Sequence, residues 1–187
     1  MRVLSQPVTI ENIVRTHRAR RSEIKARLAE FRRVWAERSD ARLWEELAAA
    51  LQSRHRYPNS RSGYIAVTRE HLRADCGMRL YERLEGFRDP LARRDWLARE
   101  RGIKGLGYKE SSHFLRNVGF SGYGILDKHI LRSLAELQVI ETPQPPTTRT
   151  RYLETEERLK RFARDIRIDF DELDLVLWSM KTGEILK

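Results

Sequence analysis

Residues 102–131 read GIKGLGYKESSHFLRNVGFSGYGILDKHIL. Gly105 and Gly107 bracket Leu106, with apolar Ile103 before them and a helix-compatible run over 108–118 after them. Closely spaced glycines allow backbone conformations that residues with a Cβ avoid. They also let the free amides of a helix start approach an anion, most often a phosphate. This is the pattern of a helix-hairpin-helix clamp on a DNA backbone, here over about 90–119, and it makes Lys104, Gly105, Leu106 and Gly107 candidate backbone contacts. The same Gly-x-Gly also serves as a plain helix stop and turn. Lys109 sits two residues past the second glycine, where the positive end of the helix dipole disfavours an ammonium. A purely structural helix start would prefer an acid there, so the position suits an amine used as a nucleophile. Asp127 follows eighteen residues later, where a helix N-cap belongs.

Composition narrows the partners. The 187 residues carry a formal net charge of +10, and only seven of the 37 basic residues are lysine. A basic excess of this size favours a polyanion, of which nucleic acid is the usual one; the duller reading is a solvated, arginine-rich surface. Lysine can deprotonate and arginine cannot, so the cluster Lys104, Lys109 and Lys128 is notable in a chain that otherwise chooses arginine. The single cysteine, Cys76, excludes an internal disulfide and any all-cysteine metal or iron–sulfur site. The five histidines show no metal-ligand spacing, so no metal or cofactor is expected. No apolar run is long enough for a membrane span, and no signal-peptide core stands at the N-terminus. A monomer is expected, in the cytoplasm and on the nucleoid.

Apolar spacing is helical nearly throughout. Ile24, Leu28, Phe31 and Trp35 step along a basic helix predicted over about 9–37. Asp40 is the expected cap of a second helix with Leu43, Trp44, Leu47 and Leu51 inward. Pro58 breaks the pattern. Helices then follow over about 60–75, 78–84, 90–101, 109–118, 129–137, 151–166 and 169–180, with Asp89 and Pro90 as cap and first residue of the first clamp helix. The proline-rich segment 141–149 is a connection. Without strand alternation or an internal repeat, the fold class is all-α: a single domain over 1–187, or two small lobes.

The strings KGLGYKESSHFLRNVG and ILDKHILR, with the tail LDLVLWSMKTGEILK, resemble the bacterial and archaeal second family of 8-oxoguanine DNA glycosylases, within the helix-hairpin-helix glycosylase superfamily. The resemblance is strong over 102–134 and 171–187 and moderate over 21–51. It implies a helix-hairpin-helix glycosylase fold of two helical lobes with the active site between them, in a prokaryotic enzyme. It also implies base excision coupled to AP lyase activity on double-stranded DNA containing oxidised guanine or abasic sites. By position, Lys109 is the Schiff-base nucleophile and Asp127 the assisting carboxylate. The chemistry needs both: excision builds positive charge on the deoxyribose, which a carboxylate stabilises. The amine then attacks C1′ and permits β-elimination of the 3′ phosphate. Taken alone, Asp127 is better read as no more than a helix cap. Lys128 and His129 are further candidate DNA contacts. In the tail, the resemblance places Trp178 and Lys187, with its free carboxylate, at the flipped base. Asp174, one turn before Trp178, is a candidate acceptor for a purine edge. The plainer roles are core packing for Trp178 and an arginine ion pair for Asp174.

The chain departs from the family at LQSRHRY (51–57), where an apolar segment that helps wall the base pocket is absent. Gln52, Arg54, His55 and Tyr57 are the residues that could take its place. This departure leaves open an AP lyase, or a glycosylase of different lesion preference. From another class, a helix-hairpin-helix DNA-binding module without chemistry is the rival, against which Lys109 and Asp127 argue.

Overall fold

The computed structural model describes residues 8–52 and 58–185, and among these residues every regular element is helical. The helices are α1 (Ile10–Ala36), α2 (Asp40–Gln52), α3 (Pro58–Cys76), α4 (Leu80–Glu85), α5 (Pro90–Arg99), α6 (Tyr108–Asn117), α7 (Lys128–Glu136), α8 (Arg149–Asp165) and α9 (Phe170–Thr182). They agree with the predicted helices to within two or three residues at nearly every end. The chain divides into two compact units, Phe31–Phe120 and Met1–Glu30 with Ser121–Lys187. No helix among the described residues is long and apolar enough to cross a membrane.

The unit formed by Phe31–Phe120 is organised on α2, which packs against α3, α4 and α6. Leu43, Leu47 and Leu51 recur at helical spacing and are buried, as the periodicity predicts, whereas Trp44 is only half-buried. Facing elements supply Leu72, Leu80, Leu84, Leu97, Phe114 and Leu115, each nearly or fully inaccessible. Burial of one such leucine stabilises the fold by roughly 2 kcal/mol. Trp35, at the end of α1, stacks on Tyr81 with ring centroids 4.5 Å apart and tilts against Phe120 at 4.4 Å.

The cap of α2 differs from expectation. Ser39 accepts from the Arg42 amide at 3.2 Å, while Asp40 lies inside the helix and accepts from the Tyr81 amide at 2.7 Å. Asp40 therefore caps α4, whose own N-cap residue, Arg79, makes no side-chain cap bond. A sequence shows which residues can cap, but the cap is made with whichever orphan amide packing brings near.

The other unit is built on α9, which packs against α7 and α8. Leu173, Leu175, Val176 and Leu177 are consecutive or nearly so and are all inaccessible. A helix apolar around its circumference has to be enclosed, and here this helix is covered on several sides. Lys181 of α9 holds Glu136 of α7 at 2.9 and 3.0 Å, and His17 of α1 bonds Glu172 of α9. Asp169 caps α9 through the Asp171 and Glu172 amides.

Replacement of Asp40 by alanine should lower stability by about 1 kcal/mol, read as a shift of the chemical-denaturation midpoint, with most of the loss recovered by asparagine. A larger effect of Ser39→Ala than of Asp40→Ala would show that the α2 start, and not the α4 start, is the weaker point.

Candidate nucleic-acid interface and active site

The segment between α5 and α6 forms the hairpin. Asp89 caps α5 by accepting from the Leu91 amide at 2.9 Å and the Ala92 amide at 3.2 Å, with Pro90 as the first helical residue. Ile103 and Leu106 are buried, so the hairpin is anchored on two apolar side chains. Leu106 was expected as a backbone contact, and its side chain faces inward. Any contribution it makes to a ligand is through its main chain. Gly105 has φ +78° and is exposed, a conformation L-residues avoid. A Cβ there would also stand 2.8 Å from Cδ2 of Tyr64. Gly107 differs: its φ of −98° suits any residue. What a side chain would meet at Gly107 is the Glu110 carboxylate, with Oε2 3.2 Å from an added Cβ.

Gly107 is the N-cap of α6 and supplies no side-chain cap bond. The first helical backbone bond here runs from the Ser111 amide to the Gly107 carbonyl at 2.9 Å. Helices α5, α7, α8 and α9, by contrast, are closed by Asp89, Asp127, Thr148 and Asp169. The N-cap of α6 contributes no such side chain, and the positive end of its dipole favours a negative charge. Lys104 is exposed beside it, but its own amide is engaged with Thr68 Oγ1 of α3 at 3.1 Å.

Lys109 is the second residue of α6, with its side chain 40% exposed and Nζ 3.2 Å from Oε1 of Glu110. That carboxylate is 2% exposed. The sequence reading considered the lysine and passed over its neighbour. Glu110 occupies the third helical position, where an acid complements the helix start, and that placement was the available signal. One turn along the same helix, His113 has its pKa lowered from 6.5 to about 3. Burial is the first cause, and repulsion from Arg116 and Lys109 adds to it, opposed by Glu110. Arg116, on the same helix, is buried, with its guanidinium 5.3 Å from the Phe31 ring centroid.

Asp127 belongs to the other unit, at the start of α7. Its Oδ1 accepts from the His129 amide at 2.7 Å and the Ile130 amide at 2.8 Å, so it is the N-cap the sequence predicts. Both cap bonds fall on one oxygen. Lys128 beside it is exposed. The His129 ring lies edge-on to Trp178 of α9, centroids 5.1 Å apart and planes at 86°. Its pKa is lowered chiefly by burial, against the raising effect of Asp127. Trp178 is half-buried and Asp174 is 5% exposed, so α9 carries the tryptophan outward and the carboxylate inward. Lys187, Arg54, His55 and Tyr57 lie outside the described residues. Among the described residues, no group of three or more His, Cys, Asp or Glu side chains is arranged to hold a metal ion.

The approach to Asp127 rests on side chains that the sequence reading did not single out. Glu156 and Tyr152 of α8 hold Gly124, and Asp171 of α9 accepts from the Gly122 amide at 2.9 Å. These residues are nearly thirty or more positions away in sequence, and no local pattern links them to the loop.

Three comparisons with known proteins bear on this arrangement. A family model described as 8-oxoguanine DNA glycosylase matches residues 44–168. The 8-oxoguanine DNA glycosylase/AP lyase of Korarchaeum cryptofilum is 42% identical over 144 residues, which is 76% of this chain and 66% of that protein. The protein of the same name from Methanocaldococcus jannaschii is 38% identical over the same shares. The chain therefore matches a little under two thirds of the length of these relatives. In three dimensions it is similar to the Methanocaldococcus jannaschii 8-oxoguanine glycosylase/lyase in complex with a 15mer DNA containing 8-oxoguanine. The TM-score is 0.82 at 28% identity, covering 95% of this chain and 99% of that one. The 8-oxoguanine DNA glycosylase of Thermotoga maritima matches with the same TM-score at 27% identity, covering 95% and 98%.

Two measurements check the local physics. Gly105→Ala should cost about 1 kcal/mol or more, because strain at positive φ adds to the Tyr64 contact, whereas Gly107→Ala should cost less; denaturation midpoints decide the order. For His113, the unfolded state binds the proton more tightly than the folded state does. Its contribution to stability is present above pH 6.5 and is lost as pH falls toward about 3. His113→Gln should flatten the stability-versus-pH curve in that window.

Proposed function

Because this chain belongs to the 8-oxoguanine DNA glycosylase family, we propose that it is a bifunctional base-excision repair enzyme, removing 8-oxoguanine from duplex DNA and cleaving the resulting abasic strand. The observation that carries the reading is Lys109, an amine in the first turn of a helix whose N-cap is a glycine without a capping side chain. Such a helix start receives a phosphate, and a lysine beside a bound phosphate is within reach of the sugar attached to it. In this reading the hairpin of Lys104, Gly105, Leu106 and Gly107 grips the backbone, mainly through main-chain amides and the Lys104 ammonium, with Lys128 as a further phosphate contact.

The reaction divides between two groups. The charge of Asp127 stabilises the positive sugar as the base departs, an interaction typically worth several kcal/mol in a preorganised site. Lys109 attacks C1′ and forms a Schiff base, and β-elimination of the 3′ phosphate follows. Extrusion of the base draws on backbone contacts and stacking, for which half-buried Trp178 is the aromatic surface offered by α9. His129, Asp174 and Lys187 remain secondary assignments within this reading. A second reading rests on the short segment 51–57: with less wall around the base, the enzyme is an AP lyase or a glycosylase of relaxed lesion preference.

Parallel assays on duplexes carrying 8-oxoguanine and a preformed abasic site separate the two. Cleavage of both supports the first reading, and cleavage of the abasic duplex alone supports the second. Lys109→Gln should abolish strand cleavage and borohydride cross-linking while leaving DNA affinity largely intact; undiminished cross-linking would move the nucleophile elsewhere. Asp127→Asn, which keeps a good cap, should slow excision by about 100-fold or more with little change in melting temperature. Near-wild-type excision with a clear loss of stability would reduce Asp127 to a cap.

A further inference from the structure

The loop 121–126 leads directly into Asp127, and its backbone is held by side chains from another helix. The Tyr152 hydroxyl donates to the Gly124 carbonyl at 2.7 Å and accepts from the Leu126 amide at 3.4 Å. Glu156, one turn further along α8, accepts from the Gly124 amide through Oε1 at 2.7 Å. Both residues are 4% exposed. Gly124 thus has its amide and its carbonyl bound by two buried groups at once, and the next amide but one is bound by the same hydroxyl. The Asp127 amide then bonds the Ile125 carbonyl at 2.8 Å, which closes the last turn before the cap.

The glycine is part of the same device. A Cβ on Gly124 would stand 3.2 Å from Cγ and 3.3 Å from Oε1 of Glu156, and 3.3 Å from Cζ of Phe170. The absent side chain lets the loop approach α8 closely enough for both bonds. A loop that needed only to connect Val118 to α7 could satisfy these amides with water, since loops generally run over the surface. Burying a carboxylate and a phenol against them is a costlier arrangement. It fixes three backbone groups in the four residues before the Asp127 carboxylate.

We propose that Tyr152 and Glu156 are positioning residues for Asp127, setting where its carboxylate stands relative to the sugar. The proposal rests on the reading of Asp127 as the carboxylate that stabilises the sugar cation. Oδ1 is bound to α7 amides, so the carboxylate moves only with the start of α7. The loop that enters that start is the part α8 holds. Preorganised charges lose most of their effect when displaced, because the charge they face develops only in the transition state. Neither residue touches the substrate in this account.

The test is a double-mutant cycle. Tyr152→Phe keeps the ring and removes the hydroxyl that bonds Gly124 and Leu126. It should slow single-turnover 8-oxoguanine excision at saturating enzyme by about tenfold or more, with the Kd for the same duplex unchanged within about threefold. In an Asp127→Asn background the same change should slow excision by less than about twofold, because the group it positions is already gone. Should Tyr152→Phe fold poorly, as melting temperature would show, Gly124→Ala serves instead. It leaves both side chains in place and pushes the loop off them, with the same expected loss and the same expected silence behind Asp127→Asn. Equal losses with and without Asp127 would overturn the proposal, as would Tyr152→Phe at the wild-type rate. If Asp127→Asn itself excises at the wild-type rate, the role of Asp127 fails first, and the positioning role falls with it.

Discussion

A helix leaves its first amides without carbonyl partners, and the two halves of the candidate chemistry depend on opposite answers to that constraint. At α7 the orphan amides are closed by Asp127, so the group that would stabilise a sugar cation is also the group that starts the helix. At α6 the N-cap is a glycine with no side chain to close them, and Lys109 follows in the same turn.

The surrounding structure keeps these two starts in their states. Leu106 and Ile103 are buried under the hairpin while Gly105 takes a left-handed backbone conformation that exposes the turn. Thr68 takes up the Lys104 amide, so the hairpin is tethered on the α3 side without obstructing its tip. Glu110 is seated over Gly107, and it balances the Lys109 charge from a buried position. That second glycine is explained by space alone, whereas at the first a positive φ and the close approach of Tyr64 act together.

Among the described residues, several buried or half-buried polar groups hold backbone or join helices. Arg94 donates to Ser112 at 3.2 Å across α5 and α6, the two helices of the clamp. Arg93 donates to the Leu84 and Phe87 carbonyls at 3.0 and 2.6 Å, tying the end of α4 to α5. Tyr152 and Glu156 do the same for the approach to Asp127. Each removes a charge or hydroxyl from water, which is unfavourable unless it is bonded. Each is bonded to the backbone or to a neighbouring helix. Such contacts specify a loop's course more tightly than apolar packing does, because hydrogen bonds fail within a few tenths of an ångström and a few tens of degrees.

By itself the sequence determined the helices, the hairpin with its lysine, and the aspartate at the next helix start. These follow from periodicity, glycine spacing and cap chemistry, all of which act within a few residues. Asp89 and Asp127 were legible as caps for that reason. Which amide Asp40 caps was not, because Tyr81 reaches it only through packing. Nor was the burial of Arg116 under Phe31, or the hold of α8 on Gly124, 28 and 32 residues away. Glu110 stood in plain view, but its carboxylate acquires meaning only once the Gly107 backbone is seen to make room for it. Tertiary structure decided these points because long-range polar contacts have no period, and their partners are chosen by the packing of helices whose own formation is local.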